Sequence, residues 1–204
     1  MTKKIYPTSY QNISKEVFIT KDVSESACII FFSKDNEGKY EEKSCNTKTV
    51  KNHAIKAKDH LYIRCQDIGL NWPGQNEIPT IDDIYKINNF LLKNKDLNIY
   101  AVCDAGIARS GFVSFLLDIK NHNIDNVSPI NPITEPYTDP EFKKNSFKNH
   151  NPLENRYITS PGLTELLLKS NILSRSELIE LKKKKNRKEI KNALTNPIHN
   201  RNRN

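Results

Sequence analysis

Cys103 and Arg109 stand six positions apart, and the residues between them are mostly small: Asp104-Ala105-Gly106-Ile107-Ala108. Ser110 and Gly111 follow at once. A cysteine thiolate is a strong nucleophile. An arginine guanidinium holds two phosphate oxygens with its planar fork. Backbone N–H groups at the mouth of a helix hold the oxygens that remain. Such a set can displace at phosphorus: sulfur attacks while the amides and the guanidinium take up the negative charge. The first turn of a helix is the unfavourable end of the dipole for a cation. Arg109 therefore needs a compensating anion, and a bound phosphate is one.

Two elements must position this loop. Ahead of it, Leu97-Asn98-Ile99-Tyr100-Ala101 is apolar and β-prone and predicts a buried strand running into Val102 and Cys103. Behind it, Phe112 to Ile119 is apolar at helical spacing. The unit reads as strand, tight loop, helix. Cys-x5-Arg followed by Ser, with Gly third after the Cys, resembles the signature loop of the cysteine-based protein tyrosine and dual-specificity phosphatases. The residues carrying that likeness are Cys103, Gly106, Arg109 and Ser110. It extends to Gln66-Asp67-Ile68 and the helix after them, so it covers about residues 60–120. One departure is Val102, where the family usually has His.

The resemblance implies a phosphocysteine intermediate on Cys103, with phosphate held by the loop from Asp104 through Ala105, Gly106, Ile107 and Ala108 to Arg109. It implies that Ser110 hydrogen-bonds the departing thiolate. No cofactor or metal is implied.

The reaction also needs an acid for the leaving oxygen. Carboxylates within reach by chain order are Asp67, Glu77, Asp82, Asp83 and Asp104. Asp82 and Asp83 suit the first turn of a helix opened by Thr80. Asp104 adjoins the nucleophile, and its side chain is expected to point away from the phosphate cup. Asp67 follows a predicted strand, His60 to Cys65, at the mouth of a long loop carrying the only Trp, Trp72. It lies 36 positions before Cys103 (103 − 67). Dual-specificity-like phosphatases place their acid on a loop at a similar remove, so Asp67 is the expected acid. Ile68, Leu70 and Trp72 could raise its pKa by desolvation.

The chain has 204 residues and a formal net charge of +8. That charge is not spread evenly. Residues 175–204 hold 10 Lys+Arg against 3 Asp+Glu, leaving 22 against 21 for residues 1–174. The expected organisation is a catalytic domain over 1–174 and a basic helical or disordered tail over 175–204, which offers itself to an anionic partner. No apolar run approaches the length of a membrane span. The N-terminus lacks the apolar stretch of a secretory signal. Four Cys show no metal or disulfide spacing, and a cytoplasmic location with reduced thiols is expected.

The expected fold class is α/β: a central, mostly parallel sheet flanked by helices, phosphatase-like. Residues 1–14 are expected to lie loosely over the surface. Glu16 to Thr20 reads as a short strand and Ala27 to Phe32 as a buried one, with Cys28 a core residue. Residues 33–58 fit a strand or a short helix equally. The helix from Thr80 should bury Ile81, Ile84, Ile87, Phe90 and Leu91. Residues 121–160, rich in Asn and Pro, predict a long irregular segment. Helices are expected from Pro161 and after a Ser174–Glu177 cap. His53, His60, His122, His150 and His199 form no ligand set.

The expected substrate is a phosphorylated protein or a small phosphomonoester. Asp104 beside the Cys, with no Lys in the loop, argues against highly phosphorylated lipids. Two other readings stand beside this one: an RNA or polynucleotide 5′-phosphatase using the basic tail, and a module that binds phosphorylated residues without turnover. A small arsenate reductase would carry the loop near the N-terminus, whereas Cys103 is mid-chain.

Overall fold

The apolar run at 27–32 forms the strand that is covered on both faces, as such runs are in parallel sheets. This strand, Ser26–Phe32, is buried at every position. The computed structural model describes residues 5–32, 47–66, 77–104, 106, 108–123, 160–181 and 183. In chain order the strands are β1 (Tyr10–Ser14), β2 (Ser26–Phe32), β3 (Asp59–Arg64) and β4 (Asn98–Cys103). They form one sheet in the order β1-β4-β2-β3, every pair parallel.

The helices are α1 (Lys15–Phe18), α2 (Thr47–Ala54), α3 (Ile81–Lys93), α4 (Ala108–Lys120) and α5 (Pro161–Lys169), followed by α6 over 175–181. On one face of the sheet, Ile29, Phe31, Ala101 and Cys103 pack with residues of α3, α4 and α5. On the other, Cys28, Ile30, Tyr100 and Val102 pack with Phe18 of α1 and with Val50 and Ala54 of α2. The class is therefore α/β, a parallel sheet with helices on both faces. Burial pushes the Cys28 thiol up to about 12, in keeping with a core residue.

Two expectations fail at the N-terminus. Residues 10–14 are not loose surface chain but β1, hydrogen-bonded along β4. β1 is an edge strand and only partly buried, so it tolerates the polar Gln11, Asn12 and Ser14 that hide it in the sequence. Residues 16–20 are not a strand, because Lys15–Phe18 is a helical turn. Ser14 caps it by accepting from the Val17 N–H at 3.3 Å. Lys15 and Phe18, three apart, are buried while Glu16 and Val17 between them are exposed, which suits one turn of helix rather than an alternating strand.

The helix expected from Thr80 is α3, with the capping box formed: Asp83 N–H donates to Thr80 Oγ1 at 3.3 Å, and Thr80 N–H to Asp83 Oδ2 at 2.9 Å. Ile84, Ile87, Phe90 and Leu91 are buried. Ile81 is not: as the first helical residue it precedes the buried stripe and is 37% exposed. α2 settles 47–54 as helix. His53 is locally bonded, its Nε2 lying 2.9 Å from Lys21 O. Ser174 and Glu177 form the expected cap of α6. Glu177 also pairs with Lys120 of α4 at 3.0 Å. The expectations for 33–46 and for 124–159, and most of the basic stretch after residue 181, fall outside the described residues. Among the described residues no helix is long and apolar enough to cross a membrane.

The topology opens one place for chemistry. β1 hands over to α1 on one face of the sheet, whereas β4, its neighbour, hands over to α4 on the other. Where adjacent parallel strands send their continuations to opposite faces, a crevice forms at their carboxyl ends.

Candidate active site

Cys103 ends β4 at that crevice, and its register partner on β1 is Ser14. The loop that follows leans on the β1 backbone. Gly106 has φ +70, and a Cβ there would lie 2.4 Å from Ser14 N and 2.5 Å from Ile13 C. Asn12 Nδ2 donates to Gly106 O at 2.9 Å, which fixes the loop to the strand. Only glycine meets both demands, a left-handed backbone and a bare Cα against another chain segment. Gly106→Ala is therefore expected to lose about 2–4 kcal/mol of stability. A urea midpoint within the scatter of the unsubstituted chain would contradict this packing.

α4 starts at Ala108 and is buried from Ala108 to Ile119. Three of its polar residues meet partners on the sheet. Ser110 Oγ lies 3.1 Å from Cys103 Sγ, within hydrogen-bond reach. One turn on, Ser114 Oγ donates to Asn12 Oδ1 at 3.3 Å. One turn further, Asp118 accepts from the Tyr10 hydroxyl of β1. Ser110, Ser114 and Asp118 thus form a stripe at i, i+4 and i+8 facing β1 and the end of β4. At the start of α5, the Ser160 N–H donates to Ala108 O at 3.2 Å, which braces the first turn of α4.

Arg109 is 5% exposed and lies across the mouth of the loop. Its Nη1 donates to Cys65 O at the end of β3, at 3.1 Å. Its Nη2 meets Asp104 Oδ2 at 2.5 Å. The other oxygen of Asp104 meets Lys15 Nζ at 2.5 Å. Burial pushes the Asp104 carboxyl up, but the Arg109 and Lys15 cations outweigh it and hold the group below its ordinary value. Asp104 therefore does not turn away from the site. It lies on Arg109 while Lys15, at the start of α1, compensates its other oxygen. The absence of Lys from the loop also loses its force, since Lys15 neutralises Asp104 from outside it.

The arrangement brings together Cys103, Asp104, Gly106, Ala108, Arg109 and Ser110. Ala105, Ile107 and Asp67 lie outside the described residues, as do Ile68, Leu70 and Trp72. The two residues flanking 67–76 are joined, Gln66 N–H donating to Glu77 O at 2.9 Å. Among the reserve acids, Glu77 pairs with Arg64 at 3.0 Å, Asp83 serves the α3 cap, and Asp82 is exposed. Val102 is fully buried in the apolar layer against α1 and α2, the opposite face from Cys103. An imidazole at that position would need a polar partner within that apolar layer.

Sequence reasoning missed Lys15, Asn12 and Tyr10. The available signals were weak: polar residues within a β-length segment, and a polar stripe inside an otherwise apolar helix. Among the described residues no three His, Cys, Asp or Glu side chains gather as a metal set would. Comparison of the chain with family models, curated proteins and solved structures finds no match.

Proposed function

We propose that this chain is a cysteine-dependent phosphatase that hydrolyses phosphomonoesters, on protein or as small aryl esters. The observation that carries the reading is the convergence of Cys103 Sγ, Ser110 Oγ 3.1 Å away and the buried Arg109 fork where β4 turns into α4, at the carboxyl edge of a parallel sheet.

In the first step the Cys103 thiolate attacks phosphorus in line. The S–P bond forms, the P–O bond to the leaving group breaks, and the leaving oxygen takes a proton from Asp67. The loop amides from Asp104 to Arg109 and the Arg109 guanidinium hold the equatorial oxygens, whose charge is spread in the transition state. In the second step water attacks the phosphocysteine, and its proton passes to the Asp67 carboxylate. The S–P bond breaks, inorganic phosphate leaves, and the Ser110 hydroxyl donates to the returning thiolate. Neither a metal nor an organic cofactor enters these steps. A cytoplasmic location and an anionic partner for the basic stretch after residue 174 belong to the same proposal.

The test is phosphate release from a nitrophenyl phosphate by the full chain, with acid quench to trap phosphate on Cys103. No release and no trapped phosphate would overturn the reading. The assignment of Asp67 has its own test. Asp67→Asn is expected to slow hydrolysis of an alkyl phosphate by roughly 10²–10⁴. The nitrophenyl ester, whose leaving group hardly needs a proton, should be affected far less. Equal losses on both esters would remove Asp67 from the acid role and bring Glu77 or Asp82 forward.

A further inference from the structure

Asp104 makes a contact that the two chemical steps do not use: its carboxylate sits on the guanidinium that phosphate must take. We propose that Asp104 holds the Arg109 guanidinium in the place of the substrate phosphate until phosphate binds, and that Lys15 is the positioning residue that then draws it aside. This inference rests on the phosphatase reading and adds how the site discriminates among anions.

The geometry is a chain of three charges. Lys15 Nζ and Arg109 Nη2 each lie 2.5 Å from a different oxygen of Asp104. Nη1 of Arg109 is held by the Cys65 carbonyl at 3.1 Å. One end of the fork is thus anchored to backbone, and the other faces a carboxylate. A phosphate oxygen that takes Nη2 must displace Asp104 or share the donor with it. Sharing sets a carboxylate against a dianion at contact distance, which is repulsive in a partly buried site. Displacement is favoured because the dianion carries twice the charge of the group it replaces.

Lys15 decides where Asp104 goes. The ammonium is buried, with its side chain 7% exposed, and it also lies over the face of the Phe32 ring, 5.0 Å to the centroid. A buried ammonium is costly to leave unpaired, so Asp104 stays on Lys15 when Arg109 releases it. Lys15 cannot drift either. It follows Ser14, the register partner of Cys103, and opens α1, so the sheet fixes its distance from the loop. The Asp104 side chain is 37% exposed and has room to turn. The exchange also sets a threshold. A monoanion such as a carboxylate offers Arg109 no more charge than Asp104 already does, whereas a phosphate dianion does.

The test is competitive inhibition of nitrophenyl phosphate hydrolysis by inorganic phosphate. It is run in about 0.5 M sodium chloride, where the Debye length of ~4 Å removes most of the long-range effect of deleting a charge. Asp104→Asn should tighten the phosphate inhibition constant and lower KM, each by roughly 5-fold. Lys15→Met should weaken both by a similar factor, and Lys15→Arg should restore most of the loss. In the Asp104→Asn background, Lys15→Met should shift the constant by less than about 2-fold. The inference is overturned if Asp104→Asn fails to tighten phosphate, or if Lys15→Met has the same effect in both backgrounds. Should Lys15→Met not fold, Asp104→Asn and Lys15→Arg decide the matter alone. An unsubstituted chain that neither turns over the ester nor gains thermal stability from inorganic phosphate would overturn the phosphatase reading itself. Turnover with an unmoved Asp104→Asn constant would overturn only the role given to Asp104 and Lys15.

Discussion

Cys103→Ser is expected to leave no turnover of a nitrophenyl phosphate above background, a loss of at least ~10⁴-fold. The substitution changes one atom at the end of β4 and keeps the volume nearly constant. Cys103 is 3% exposed and packed, so a near-isosteric hydroxyl should leave the loop in place. What disappears is the nucleophile, because an alcohol at neutral pH is scarcely ionised where a thiol supplies thiolate. Arg109 and the loop amides are untouched, so inorganic phosphate should still bind and raise the melting temperature. Loss of turnover with retained binding separates the attack from the phosphate cup. Substantial residual turnover would end the phosphocysteine mechanism.

Arg109→Lys is expected to cost about 10³ in kcat, with a smaller change in KM. An ammonium keeps the charge but not the fork. In the structure the fork does two things at once, holding the Cys65 carbonyl with Nη1 while directing Nη2 into the site. A lysine reaches one of these at most, so it cannot hold the Cys65 carbonyl and a phosphate oxygen together. That loss falls mainly on the transition state, where the oxygens carry the most charge to be stabilised. A kcat within tenfold of the unsubstituted chain would show that Arg109 supplies bulk charge only.

The strand, loop and helix around Cys103 were legible because their information is contiguous. An apolar strand, a small-residue loop and an apolar helix announce themselves within residues 97–119. The Thr80 cap and the buried run at 27–32 were legible for the same reason. β1 was not. Its residues are polar because it lies at the sheet edge, and its pairing with β4 depends on residues far along the chain. The direction of Asp104 was misjudged for a related cause, since the cation that helps to fix it, Lys15, comes from the far side of two intervening strands. Ser114 and Asp118 lie in a helix read from its apolar spacing alone, and their partners Asn12 and Tyr10 come from β1. Local pattern gives the elements, whereas the polar contacts between them need the topology.

The pairing of Ser14 with Cys103 has a consequence in time as well as space. Among the described strands, β1 has β4 as its sheet neighbour, while β2 pairs with β3, the next strand in the chain. A chain emerging from the ribosome can pair β2 with β3 early, but β1 must wait until β4 has been made. The loop that then closes is the longest in the sheet, and long-range parallel pairing is slow because its entropy is spent before its contacts form. Lys15, the Asn12 brace on Gly106 and the backbone that cradles the loop all arrive with that strand. In a half-made chain the Cys103 loop therefore lacks its braces, and Asp104 gains Lys15 in the same late event that completes the sheet.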